Sequence, residues 1–188
     1  MKLEPSKTAI LTLDLQKGIL EMGSGYESVI PNASRIVDFA REKDYLLIHV
    51  GLGFSDGHPE VTDRDTPFLK AKQNNLFVKG SASAQFHGAI AKPGDLIIYK
   101  QRIGAFSENH LNLTLRARAI ENLVLFGIST SGIVLATVTR AFDLDFRLTV
   151  ISDACFDADA ETHRVLMEKI FPKRGTVLTT DAFVSKQA

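Results

Sequence analysis

The chain has 188 residues, a length that suits one domain with a sizeable core. Hydrophobic residues make up 45%, and 22 basic residues balance 22 acidic ones, as in ordinary soluble globular proteins. Zero net charge argues against a general nucleic-acid or anionic-membrane surface, since either would need a basic excess.

Cys155 is the single cysteine, so neither an intrachain disulfide nor a zinc cluster of cysteines can form. A reducing, cytoplasmic setting is expected. The N-terminal apolar run is broken by Asp14 and is too short for a signal peptide or a membrane span, and no later stretch reaches spanning length.

In chain order, residues 8–13 (TAILTL) read as a buried strand. A helix is predicted from about Pro31, where proline suits a first turn, with Ile36, Val37, Phe39 and Ala40 at helical spacing. YLLIHV at 45–50 is a second strand. From Gly51 to about Ala91 the pattern is irregular and predicts loops and short helices, the kind of segment that often binds or covers a ligand. DLIIYK at 95–100 is the third strand, followed by a helix at about 108–119 with Ser107 as its N-cap. NLVLFGI at 122–128 is the fourth strand and 132–144 a helix. RLTVISD at 147–153 is the fifth strand, 159–171 a helix and TVLTT at 176–180 the sixth strand.

Strands alternating with helices predict an α/β fold, with a parallel sheet covered on both faces. Ligands of such sheets bind beyond the carboxyl ends of the strands. Asp14 follows the first strand, as a solvated loop residue or a site acid. Lys100 ends the third, as a strand terminator or a site base. The cluster Ser129-Thr130-Ser131-Gly132 follows the fourth, as a helix cap or as a turn whose N–H groups hold an oxyanion. Asp153 ends the fifth and either stops it or caps the next segment. Together these residues place an acid, a base and backbone donors at one sheet edge.

The blocks TLDLQ, IIYKQRIGAF and LVLFGISTSGIVLATVTRAFDLDFRLTVISDA resemble the isochorismatase-like hydrolase superfamily, also called the cysteine hydrolases. The resemblance covers nearly the whole chain as a single domain, 1–188. It implies a three-layer α/β/α, Rossmann-like fold with a six-stranded, mainly parallel sheet, and a homo-oligomer, dimer or larger. The family's Asp–Lys–Cys triad maps its aspartate to Asp14 and its lysine to Lys100. Its G-x-x-T-x-x-C pattern runs from Gly127 through Thr130 to Ile133, so isoleucine stands at the nucleophile position. Isoleucine has no lone pair and no acidic proton, and thiolate chemistry there is impossible. The family's cis peptide before the nucleophile would fall at Ser131–Gly132.

Isochorismatases proper resemble this pattern with glycine at the nucleophile position, and cleave a vinyl ether using the aspartate and lysine. Ile133 adds bulk there and narrows the expected pocket. Around the triad positions, Gln16 is a candidate to orient water or Asp14. Arg102 would bind a carboxylate or lie solvated, and Phe106 would form a pocket wall or core. Ser131 and Gly132 would present backbone donors.

Asp56-Gly57-His58-Pro59 resembles the D-x-H-P of metal-binding nicotinamidases. Carboxylates follow up to Asp65, but the next histidine is His87, so DGHP reads as a polar turn, and neither a metal nor a cofactor is expected. His49 reads as a sheet or core histidine, and His110 and His163 as helix surface or capping groups. Phe171 and Phe183 would suit either a subunit interface or the core. The resulting expectation is a hydrolase of a small-molecule substrate, acting through Asp14 and Lys100 without a cysteine. The rival is a catalytically inactive family member serving as a small-molecule-binding or oligomeric interaction protein.

Overall fold

The computed structural model describes residues 2–64 and 67–188. Its centre is a sheet of six parallel strands in the order β3-β2-β1-β4-β5-β6. The strands are β1 (Thr8–Leu13), β2 (Leu46–Leu52), β3 (Leu96–Lys100), β4 (Asn122–Gly127), β5 (Arg147–Ile151) and β6 (Thr176–Leu178). The helices are α1 (Lys17–Leu20), α2 (Ile30–Glu42), α3 (Pro67–Gln73), α4 (Leu111–Ala117), α5 (Leu135–Asp143), α6 (Ala160–Val165) and α7 (Thr180–Gln187). Among the described residues no helix is long and apolar enough to cross a membrane.

β1 and β4 are buried along their whole length and lie side by side at the middle of the sheet. This explains their continuous apolar sequences, since a central parallel strand is covered on both faces. Sequential strands run outward in both directions from this pair, so the strand order reverses there. That reversal opens the crevice in which such sheets bind ligands. Gly127 closes β4 against β1. Its φ is +150°, and a Cβ there would lie 2.0 Å from the Leu13 carbonyl oxygen.

α2 presents Ala33, Ile36, Val37, Phe39 and Ala40 to the core, and Phe39 packs edge-on against Phe183 of α7 at 5.9 Å. Phe171 and Phe183 are therefore core residues, both buried. The irregular stretch after β2 has a small core of its own, built from Leu52, Phe54, Val61, Ala71 and Phe77.

Several local expectations need correction: β5 ends at Ile151 rather than Asp153, and β6 at Leu178, with Thr180 opening α7. Ser107 does not cap α4, because the chain stays in turns until His110. The side chain of Asn109 instead accepts the Leu111 N–H at 2.9 Å. The 132–144 helix begins earlier, as a π-type turn over Thr130–Val134 that runs into α5. The tail helix α7 had no counterpart in the sequence reading.

Candidate functional site

Three strand ends meet at the switch point. Asp14 follows β1 directly with a left-handed φ of 54°, a conformation aspartate tolerates better than most residues, and its N–H donates to the Val50 carbonyl at 2.8 Å. Lys100 is the last residue of β3. Its Nζ lies 2.9 Å from Asp14 Oδ2 and donates to the Arg102 carbonyl at 3.1 Å. Both side chains are buried, and Asp14 Oδ1 has no hydrogen-bond partner. Burial pushes the Asp14 carboxyl above its ordinary value. Lys100 pulls the other way by charge and hydrogen bonding, and burial is the larger effect.

This pair sits in the wall of a cavity of about 210 Å³. The rest of the lining is mostly apolar, with Ile19, Tyr26, Leu52, Phe68, Ile128 and Ile133. Met22 and Ile103 also line it and are 57% and 50% exposed, which puts apolar side chains at its mouth. The volume falls below the 300–1,000 Å³ typical of drug-sized sites. A larger groove, about 700 Å³, opens at the amino ends of the strands near Arg41, Tyr45, Asp95 and Arg118. Arg41 there is bonded to Asp95 at 2.6 Å, and the groove lies at the wrong end of the sheet for the strand-end residues.

The turn after β4 is built from its own polar groups. Ser129 Oγ accepts the Gly132 N–H at 3.2 Å, and Asp157 Oδ2 accepts the Ser131 N–H at 2.7 Å. Two of the expected anion donors are thus already engaged. Thr130 Oγ1 is hydrogen-bonded to His163 Nδ1 at 2.9 Å, tying the turn to α6. The cis peptide lies at Ile128–Ser129, three residues before the expected Ser131–Gly132. Ser131 and Gly132 lie in the turn where Val134 N–H bonds back to the Ser129 carbonyl, and Gly132 departs there from helical geometry.

Asp14, Lys100, Gly132 and Ile133 therefore converge on one cavity, whereas other candidates stand elsewhere. Gln16 is fully buried and does not line the cavity. Its Nε2 donates to the carbonyls of Leu52 and Ala84, both at 2.8 Å, and its Oε1 accepts the Leu52 N–H at 2.7 Å. Its amide is consumed in joining β2 to the following loops. Arg102 is exposed, donates to the Gln101 and Glu60 carbonyls, and stacks on Phe68 with its Cζ 5.9 Å from the ring centroid. Phe106 pairs with Phe146 at 6.2 Å, against the core. Ser131 is exposed beside the cavity.

Cys155 is buried away from the cavity, and desolvation pushes its thiol up to about 12. His58 is buried in its turn, donates from Nε2 to the Leu76 carbonyl at 2.7 Å and rests on Phe54, so DGHP is a turn with an inward histidine. His49 is buried in β2 between Thr12 at 2.7 Å and Asp95 at 3.1 Å. Among the described residues no group of three His, Cys, Asp or Glu side chains could hold a metal ion, and Asp65 lies outside those residues.

The apolar lining residues Ile19, Met22, Phe68 and Ile103 escaped the sequence reading. An exposed isoleucine just past Lys100, beside the strand ends, was the one available signal.

Solved structures share this fold, and other proteins resemble the chain in sequence. An isochorismatase family protein from Burkholderia thailandensis superposes with a TM-score of 0.83 at 24% identity, covering 99% of this chain and 97% of its own. The isochorismatase family protein YwoC of Bacillus subtilis is 32% identical over 99% of this chain and 97% of its own length. Maleamate amidohydrolase of Pseudomonas putida is 27% identical over 92% of this chain and 83% of its own. The isochorismatase domain model matches residues 8–182, and the chain belongs to the isochorismatase family.

Proposed function

We propose that the protein hydrolyses a compact small metabolite through Asp14 and Lys100, without a covalent enzyme intermediate. The observation that carries this reading is the buried pair itself: Asp14 and Lys100 both line the cavity, with Lys100 Nζ 2.9 Å from one Asp14 carboxyl oxygen. A carboxyl raised by burial is suited to give a proton. Water adds to the carbon that bears the leaving oxygen or nitrogen, and Asp14 protonates that leaving atom as its bond to carbon breaks. The proton given up by the added water returns to the Asp14 carboxylate. Lys100 stabilises that carboxylate between the two transfers. Hydrolytic relatives such as the maleamate amidohydrolase support a hydrolase of small metabolites.

A second reading, binding without turnover, is favoured by Ile133 in the cavity wall and by the engaged N–H groups of the turn. Product formation on a panel containing isochorismate and simple amides decides between the two. Turnover that disappears in Asp14→Asn supports hydrolysis. Ligand-dependent thermal stabilisation with no product supports binding alone.

A further inference from the structure

The wall of the site cavity is apolar on nearly every side. Ile19 comes from α1, Leu52 from the end of β2, Phe68 from α3, Ile103 from the stretch after β3 and Ile133 from the turn after β4. Separate segments thus turn apolar side chains toward one space, so the lining is not the by-product of a single amphipathic face. The polar side chains among the described lining residues are Asp14, Tyr26, Lys100 and Ser129. Asp14 and Lys100 are bonded to each other and expose only 8% and 1% of their side chains, a small polar spot in an apolar wall. Ser129 Oγ already accepts the Gly132 N–H, and the Tyr26 ring packs on Phe156 at 5.4 Å.

A ligand here gains mainly by burying apolar surface, its own and that of the half-exposed Met22 and Ile103. A polar group held away from the Asp14–Lys100 pair would lose its water without gaining a partner. The space is also limited. An apolar cavity of about 150 Å³ accepts benzene. This one, of about 210 Å³, has room for little more than such a ring and a small substituent. Ile133 is buried in that wall, and its side chain fills space that a smaller residue would leave open. We infer that the cavity takes molecules whose body is apolar and about the size of a benzene ring, with Ile133 setting the upper limit of size. This inference rests on the reading that the cavity is the substrate site.

Primary amides that differ only in their body test it, by ligand-observed NMR titration of the purified full chain. From acetamide through propionamide to butyramide, affinity should rise about fourfold per methylene. Cyclohexanecarboxamide should bind at least about tenfold more tightly than its tetrahydropyran counterpart, which has the same shape and a ring oxygen. Benzamide should bind at least about tenfold more tightly than naphthamide. In Ile133→Ala that last ratio should fall by about tenfold, because the lost side chain makes room, and in the milder Ile133→Val it should fall in the same direction. A flat methylene series, equal or tighter binding of the tetrahydropyran compound, or no binding by any probe overturns the inference. Naphthamide bound as tightly as benzamide by the unaltered protein overturns the size limit. A ratio unchanged in both variants overturns the role of Ile133. Selective binding with no turnover on the substrate panel retires the hydrolytic reading and leaves this one standing. Turnover that depends on Asp14, together with a flat series, does the reverse.

Discussion

Asp157 holds the backbone N–H of Ser131 at 2.7 Å, so a side chain beyond β5 fixes the turn that follows β4. Asp157→Asn weakens a charge-assisted hydrogen bond, and Asp157→Ala removes it. A loss of about 1–2 kcal/mol is expected for the alanine variant in urea denaturation. The nearby His163 imidazole is held below its ordinary value by burial, and the charge of Asp157 opposes that effect. Removing the charge should therefore lower the His163 pKa further, which an NMR titration reads directly. An upward shift would contradict this assignment.

Asp14 gives a pH signature in stability. Its folded pKa lies above the ordinary 3.8, so the folded state binds the proton more tightly than the unfolded chain. The stabilisation is complete below about pH 3.8 and is lost as pH rises through the folded value. Relative to Asp14→Asn, the unaltered protein should lose stability over that window with a slope of up to about 1.4 kcal/mol per pH unit. Parallel stability curves for the two proteins would refute this.

Cys155 should be inert in the folded protein. Its thiol is buried and raised to about 12, so almost no thiolate is present at pH 8. Iodoacetamide should label it only after unfolding, as mass spectrometry would show. Ile133→Cys places a thiol in the cavity wall and should be labelled in the native state. Equal labelling of both cysteines would contradict the placement of Ile133.

Gln16 separates structure from catalysis. Replacing it with alanine leaves the Leu52 N–H and the carbonyls of Leu52 and Ala84 without their partners. A loss of about 2–4 kcal/mol in denaturation is expected. Any turnover by the fraction that remains folded should keep its KM.

The strands were legible because the middle of the sheet demands continuous apolar runs, and NLVLF and TAILTL supply them. The tail helix was not, because TDAFVSKQ lacks a strong apolar stripe. It is anchored from afar, by Asp153 Oδ1 accepting both the N–H and the hydroxyl of Thr180 at 2.8 Å. Asp153 does act as a cap, but for a segment distant in sequence. At the site, strand ends were readable as positions while side-chain directions were not. Arg102 lies two residues past Lys100, yet its guanidinium turns to the Glu60 carbonyl, a partner no local pattern reveals. Gln16 is near Asp14 in sequence, but its partners are the end of β2 at Leu52 and the distant turn at Ala84.

The strand order has a kinetic consequence. Asp14 comes from the central strand β1, Lys100 from the edge strand β3 and Ser129 from the end of β4 on the other side of β1. Neither half of the sheet alone holds the cavity, and every pairing that assembles it joins segments distant along the chain. Parallel pairings of that kind form slowly, since loop closure must precede contact. Ligand binding should therefore return only at the end of refolding, trailing the recovery of helical signal.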